Sequence, residues 1–361
     1  MSACAALTSL LLPLAPGASV GDACLGVGLD LAGRFERSQP AAALPERFVL
    51  PRSNLELGLS RGGVGGRLVT NAVRAGGETG YVGIDGESVV VRVQVAEARY
   101  VAPSLGLAVM AGMVDDPWVV PGNDAWQLRA QGPMLAEAQG WLEPADLGGT
   151  LAWTSPGDWL SFSATLSGGE GYRRRERNGG QDLAGALTLR PLSGLDGESD
   201  LSVLIYARDG SRGLGAARDH RLGARAAGAV GPVMGGVEAM KAWGLDADAS
   251  RQPRGGSAFV QGAFLGHGLA FGRFDGVDEQ ADLDADHLQR ALVGLAFAPV
   301  LGEGSAPPPA RLSLALQDTR REANARTIAG SPALARETTV WVQLDLRARE
   351  AVFLSEPLDY P

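Results

Sequence analysis

A chain of 361 residues with 51 glycines and 20% charged side chains has room for one large domain or two ordinary ones. Its formal net charge of -9 excludes the basic footprint of a general nucleic-acid binder. The only cysteines, Cys4 and Cys24, lie near the N-terminus, so the body of the chain can build no thiolate metal cluster, disulfide framework or cysteine nucleophile. Lys241 is the only lysine, and basic charge is otherwise arginine, which genomic base composition explains as readily as function.

The first element is a leader. Ala5–Leu14 is a short apolar run, followed by Ala15, Gly17, Ala18 and Ala23. An apolar core followed by small residues reads as a secretory signal over 1–23, although no basic segment precedes it. The run is too short to cross a bilayer as a helix, and nowhere else do about 18 apolar residues stand together. A helical inner-membrane transporter is thereby excluded, and the chain is expected to be exported.

From there on the pattern is alternation. Val27–Glu36 sets Val27, Leu29 and Leu31 against Gly28, Asp30, Ala32 and Arg34. Leu55–Arg61 and a weaker Arg67–Arg74 follow, then Val89–Tyr100, with Val89, Val91, Val93 and Val95 opposite Arg92, Gln94 and Ala96. Leu105–Met113 is a small-residue segment. After a long interruption come Leu147–Trp153, Trp159–Ser167, Asp182–Arg190, Leu201–Arg208, Arg221–Val230 and Val233–Trp243. Ala258–Phe264, Leu269–Asp275, Leu288–Ala298, Arg311–Gln317 and Val340–Arg347 complete the series. In the last, Val340, Val342, Leu344 and Leu346 share one side, and Trp341, Gln343, Asp345 and Arg347 the other. Successive side chains of a strand point to opposite faces, so each segment predicts a strand with one greasy and one wet face.

The breaks give the series a sidedness. Long connections are expected at 37–54, 75–88, 114–146, 168–181, 209–220, 244–257, 276–287 and 318–339. Those between are mostly shorter: 62–66, 101–104, 154–158, 231–232 and 265–268, with 191–200 and 299–310 intermediate. Long loops alternating with short turns over about sixteen strands predict an all-β fold, a transmembrane up-and-down antiparallel β-barrel spanning 24–347, with a C-terminal tail over 348–361. An even strand count puts both chain ends on the periplasmic side. A soluble β-sandwich would also alternate, but takes only about 100 residues and seven to nine strands.

No HExxH, GxSxG or Cys/His cluster is present, and His220, His267 and His287 are far apart in sequence. No catalytic site, metal site or cofactor is therefore predicted. The tract Gly62-Gly63-Val64-Gly65-Gly66 lacks the Lys-Ser/Thr and helix of a phosphate loop and reads as a turn. The longest connection, 114–146, holds more promise. It carries Asp115, Asp116, Asp124, Arg129, Glu137 and Glu143, together with Trp118, Trp126 and Trp141, and Met134–Trp141 favours a short helix. On the wet strand face, parity places Arg34, Arg92, Arg190, Arg225, Arg290 and Arg311 inward, because charge facing lipid at mid-bilayer costs about 2–4 kcal/mol. The acids Asp30, Glu56, Asp182 and Glu238 are available to pair with them. Trp159 and Trp341, near strand starts, are candidates for an interfacial aromatic girdle.

The chain resembles the outer-membrane porin superfamily, nearest the phosphate-selective porin O/P type. The best pieces are Ala96-Glu97-Ala98-Arg99-Tyr100, Pro144-Ala145-Asp146-Leu147-Gly148-Gly149, Asp182-Leu183-Ala184-Gly185-Ala186-Leu187 and Arg273-Phe274-Asp275. The resemblance implies a sixteen-stranded diffusion channel, often a homotrimer, whose third loop folds into the lumen and narrows the pore. Loop 114–146 is then the constriction candidate. A single lysine departs from the phosphate-selective pattern, and so does a tail that ends on Pro361 rather than on an aromatic residue in the last strand.

The expected function is passive diffusion of small hydrophilic or anionic solutes across the bacterial outer membrane, with outer-membrane lipid and the solutes as partners. The alternative is a non-conducting structural or adhesive barrel whose long loops bind a partner. A barrel enzyme such as a lipase would need one of the three histidines beside a serine.

Overall fold

Strands with one apolar and one polar face can satisfy every backbone group and bury every edge by closing on themselves. That is the architecture of this chain in a computed structural model, which describes residues 23–39, 46–75, 88–173, 179–193, 199–214, 217–245, 248–280, 283–300, 309–322 and 335–354. Sixteen antiparallel strands form one closed barrel. In chain order they are β1 (Ala23–Gln39), β2 (Glu46–Arg61), β3 (Val64–Ala75), β4 (Ser88–Ala102), β5 (Leu107–Asp115), β6 (Ala145–Thr154), β7 (Leu160–Ser167) and β8 (Asp182–Leu189). The second half is β9 (Ser199–Asp209), β10 (His220–Val230), β11 (Val233–Trp243), β12 (Arg254–Phe264), β13 (Gly268–Asp278), β14 (His287–Val300), β15 (Ala310–Arg321) and β16 (Arg336–Leu354). Each strand pairs with its neighbours in sequence, and β1 closes on β16 in a register running from Ala23↔Leu354 to Gln39↔Thr338. A two-residue ribbon, Ser211–Arg212 with Ala217–Arg218, sits in the connection between β9 and β10.

The two faces separate as the alternation requires. On β16, Val340, Val342, Leu344 and Leu346 are exposed on the outer wall, while Trp341, Gln343 and Asp345 are buried inside. Around the short-turn end, Tyr100, Trp153, Phe162, Phe264 and Phe297 are exposed, as is Trp159. Near the other end Phe35 and Phe48 pair their rings at 5.0 Å, and Lys241 lies 4.8 Å from the Trp243 ring. Aromatic rings at both ends of an apolar band are what the two interfaces of a bilayer favour. Trp341 is not among them: it points into the lumen, as its parity dictates.

Several strand boundaries differ from the sequence reading. The connection placed at 37–54 shrinks, because β1 runs to Gln39 and β2 begins at Glu46. Arg37, Ser38 and Gln39 are polar on both faces, and 46–54 shows no apolar–polar alternation to read. At the other terminus β16 continues past Arg347 to Leu354, pairing the start of β1 (Leu25↔Val352), so 348–354 is strand rather than tail. The predicted leader falls on 1–22, outside the described residues, except for Ala23, which opens β1.

Another difference concerns faces. The β3–β4 register skips Gln94, with Val69 opposite Val95 and Thr70 opposite Val93. This bulge puts two consecutive residues, Gln94 and Val95, on the buried side and turns Ala96 outward. Parity counted from Val89 therefore holds through Gln94 and inverts from Val95, which brings Glu97 inside.

Candidate functional site

The connection between β5 and β6 folds into the barrel, and its sequence explains how. Asp116 takes the Trp118 and Val119 amides on Oδ1, at 2.8 and 3.0 Å, and starts helix α1 (Val119–Trp126). Pro121, in the first turn, needs no amide partner there. The sequence analysis missed this helix, since Val-Val-Pro-Gly favours none. A 3₁₀ turn (Arg129–Gln131) and a short helix α2 (Leu135–Ala138) follow, the latter inside the expected 134–141 segment. Tyr206 on β9 donates its hydroxyl to Asp116 Oδ2 at 3.1 Å.

Three tryptophans dock the loop on the wall formed by β8 to β15. Trp118 is buried against Leu204, Tyr206 and Met240, with its ring over Gly223, where any Cβ would lie 2.9 Å from the indole. Trp126 packs edge-on against Phe259 and Phe271, with centroids at 5.5 and 6.1 Å. Trp141 packs in the same cluster as Leu135 and Val277.

Lumen arginines then donate to carbonyls of the loop. Arg225 donates to Trp118 O at 2.9 Å, Arg221 to Trp141 O at 3.0 Å, and Arg273 to Gly132 O and Pro133 O, both at 2.9 Å. Glu238 accepts the Leu135 amide at 3.0 Å while pairing with Arg225 at 2.8 Å. From β16, Trp341 donates to Gln131 Oε1 at 2.8 Å.

The six predicted loop charges divide by what they touch. Asp116 is consumed in starting α1 and is partly exposed, and enclosure by the surrounding protein pushes its carboxyl up against the pull of Arg208 and its hydrogen bonds. Glu143 pairs with Arg173 at 3.1 Å. Glu137 joins Arg129 and accepts from Asn123 at 2.8 Å. Burial opposes its charge, but the Arg129 guanidinium prevails and holds the carboxyl below the usual range. Asp115 meets Arg67 at 2.5 Å.

Asp124 is different. It lies on the free face of α1, open to lumen water. Enclosure by the barrel, and then the Asp115 carboxylate, push it up to about 6, against the pull of Arg349, Arg52 and Arg67.

The six predicted wall arginines divide as well. Arg225 is sealed under the loop, its guanidinium 4.1 Å from the Trp118 ring centroid. Arg290 and Arg311 stand 3.6 Å from Asp275 and Asp345. Arg34 pairs with Glu36 at 2.9 Å and lies over Trp341. Arg92 stands opposite Asn71 in the β3–β4 register. Arg190 lies at the turn end, 3.5 Å from Ser161 Oγ. Each of the four named acids has an arginine: Asp30 has Arg52 and Arg347, Glu56 has Arg67, Asp182 has Arg208, and Glu238 has Arg225.

What the loop faces across the lumen is a set that the sequence analysis did not single out. Arg52 pairs with Asp30 at 2.5 Å near mid-height of β1, Arg67 gathers Glu56, Glu97 and Asp115, and Arg347 reaches Asp30 at 3.4 Å. The 3₁₀ turn carrying Arg129 approaches β2 here. Arg52 was hidden in a segment read as loop and Arg67 in the weakest strand. Arg347 had the right parity and lacked only a reason to be chosen. Asp115 reaches Arg67 because Gly112 adopts φ +120 where any Cβ would strike Ala96 O, a kink only glycine permits late in β5.

No family model matches the sequence, and no curated protein matches it. Solved structures do match the fold. An anion-selective porin from Comamonas acidovorans superposes with a TM-score of 0.60 at 12% identity, covering 90% of this chain and 100% of that one. The outer membrane channel DcaP of Acinetobacter baumannii gives 0.56 at 11%, over 91% and 99%. OmpT, an outer membrane protein of Vibrio cholerae in its trimer form, gives 0.54 at 8%, over 90% and 99%. At such identities the likeness establishes the sixteen-stranded barrel.

Proposed function

We propose that the chain is an outer-membrane porin, a passive diffusion channel for small hydrophilic solutes with a preference for anions, working as a homotrimer. The observation that carries the reading is the inward loop. A closed barrel with an apolar outer wall crosses a bilayer, and a loop docked on one side of its lumen narrows the path without threading through it. Arg52, Arg67, Arg129, Arg347 and Arg349 then line or approach the narrowed side, and such arginines favour anions over cations. The lone lysine, Lys241, is on the outer face beside Trp243, so arginine alone supplies lumen cations among the described residues. The similarity to an anion-selective porin and to a trimeric outer membrane protein supports the same reading.

Planar-bilayer recording on refolded protein tests the proposal. Stepwise conductance with a reversal potential displaced toward chloride is expected in a KCl gradient. Absence of steps in properly folded barrels would overturn the channel, and a displacement toward potassium would overturn the anion preference. The membrane assignment has its own test. Leu314 is exposed on the outer wall next to Ser313, which is buried inside. Leu314→Arg should cost about 2–4 kcal/mol in urea-dependent folding into lipid vesicles. A cost near zero would place the outer wall in water.

A further inference from the structure

At the long-loop end of the barrel, away from the lumen, Asp278 closes β13 and His287 opens β14, directly opposite each other in register. Asp286 precedes His287. The three side chains bring one ligand atom each to within 4.8 Å of one another. Asp286 has 1% of its side chain exposed, yet neither carboxylate oxygen accepts a well-formed hydrogen bond among the described residues. Asp278 spends Oδ2 on Arg254, at 2.7 Å, while its buried Oδ1 also lacks such a bond. Burying carboxylate oxygens without partners is costly, and two carboxylates side by side repel as well. His287, at 54% exposure, covers them from the solvent side.

The spacing says what would relieve the strain. His287 Nδ1 stands 3.6 Å from Asp286 Oδ1. That exceeds the roughly 2.7–3.2 Å of an N–H···O hydrogen bond. It is close to the edge of a tetrahedron, about 3.4 Å, when ligand bonds are about 2.1 Å. One imidazole with two carboxylates is a donor set for a zinc-class ion, whereas calcium and magnesium take oxygen alone. We infer that Asp278, Asp286 and His287 form a divalent transition-metal site on the rim of the barrel. It pins the start of β14 to the end of β13, so it belongs to the loop end rather than to the conduction path.

Tag-free, chelator-treated barrel in detergent should bind zinc chloride at one saturable site by calorimetry. Cobalt chloride should give the visible d–d absorption of a nitrogen- and oxygen-ligated ion. Asp286→Asn and His287→Gln should each abolish both signals while circular dichroism shows the strand content retained. If Asp286→Asn fails to fold, His287→Gln decides alone. Absence of saturable zinc binding in the parent protein overturns the inference, and so does unchanged binding in a folded variant. In either case His287 is a plain counter-charge for the acids.

Discussion

Replacing Arg225 by alanine should lower the stability of the folded barrel by about 3–5 kcal/mol, the cost of removing one partner from a buried ion pair. Glu238, 1% exposed at its side chain, would keep its charge with no cation against it. The Trp118 carbonyl would keep only the Gly122 amide, at 3.3 Å, and the Trp118 ring would lose the guanidinium above it. The site allows no substitute to move in. Gly122 of α1 lies so close that a Cβ there would sit 2.3 Å from the guanidinium, so the helix rests directly on it. Arg225→Lys should recover only part of the loss, because an ammonium cannot serve Glu238 through two nitrogens and the carbonyl together. Urea midpoints in detergent measure the first effect. Open-channel noise measures the second, since a loop released from β10 and β11 moves within the conduction path. An unchanged midpoint would mean that the tryptophans alone hold the loop.

That anchor shows what the sequence made legible and what it did not. The alternation at Val340–Arg347 is set by the backbone, so its parity reads straight through to the structure: Trp341, Gln343 and Asp345 inside, Val342 and Leu344 outside. The order of long and short breaks reads equally well, because it follows from strands running up and down. Parity also placed Arg225 inside but could not tell a conducting face from one covered by a loop. That difference is made by the loop carrying Trp118, 107 residues away in the chain, and no local signal encodes it. Parity failed from Val95 on because a single bulged residue, Gln94, inverts every face after it while leaving composition unchanged. Strand ends at Glu46 and Leu354 were missed for another reason: 46–54 and 348–354 show no apolar–polar alternation in sequence.

The anion preference should strengthen as pH falls from about 7.5 to about 5, and Asp124 should be the cause. Its carboxyl is raised from an ordinary 3.8 to about 6, so it is ionised above that pH and neutral below. Above pH 6 a negative charge on α1 faces Arg52, Arg67 and Arg349 and partly offsets them. Below pH 6 that charge is gone and no longer offsets the arginines. The neighbouring Glu137 stays ionised through the whole range because Arg129 holds it down, so it adds no slope. One unit charge about 7 Å from a permeating ion in water changes its local concentration about two- to threefold. The chloride-to-potassium permeability ratio from reversal potentials should rise by that factor. Asp124→Asn should show the acid-side ratio at every pH, with a flat profile. If the variant keeps the full pH dependence, the titrating group lies elsewhere and α1 does not border the path that ions take.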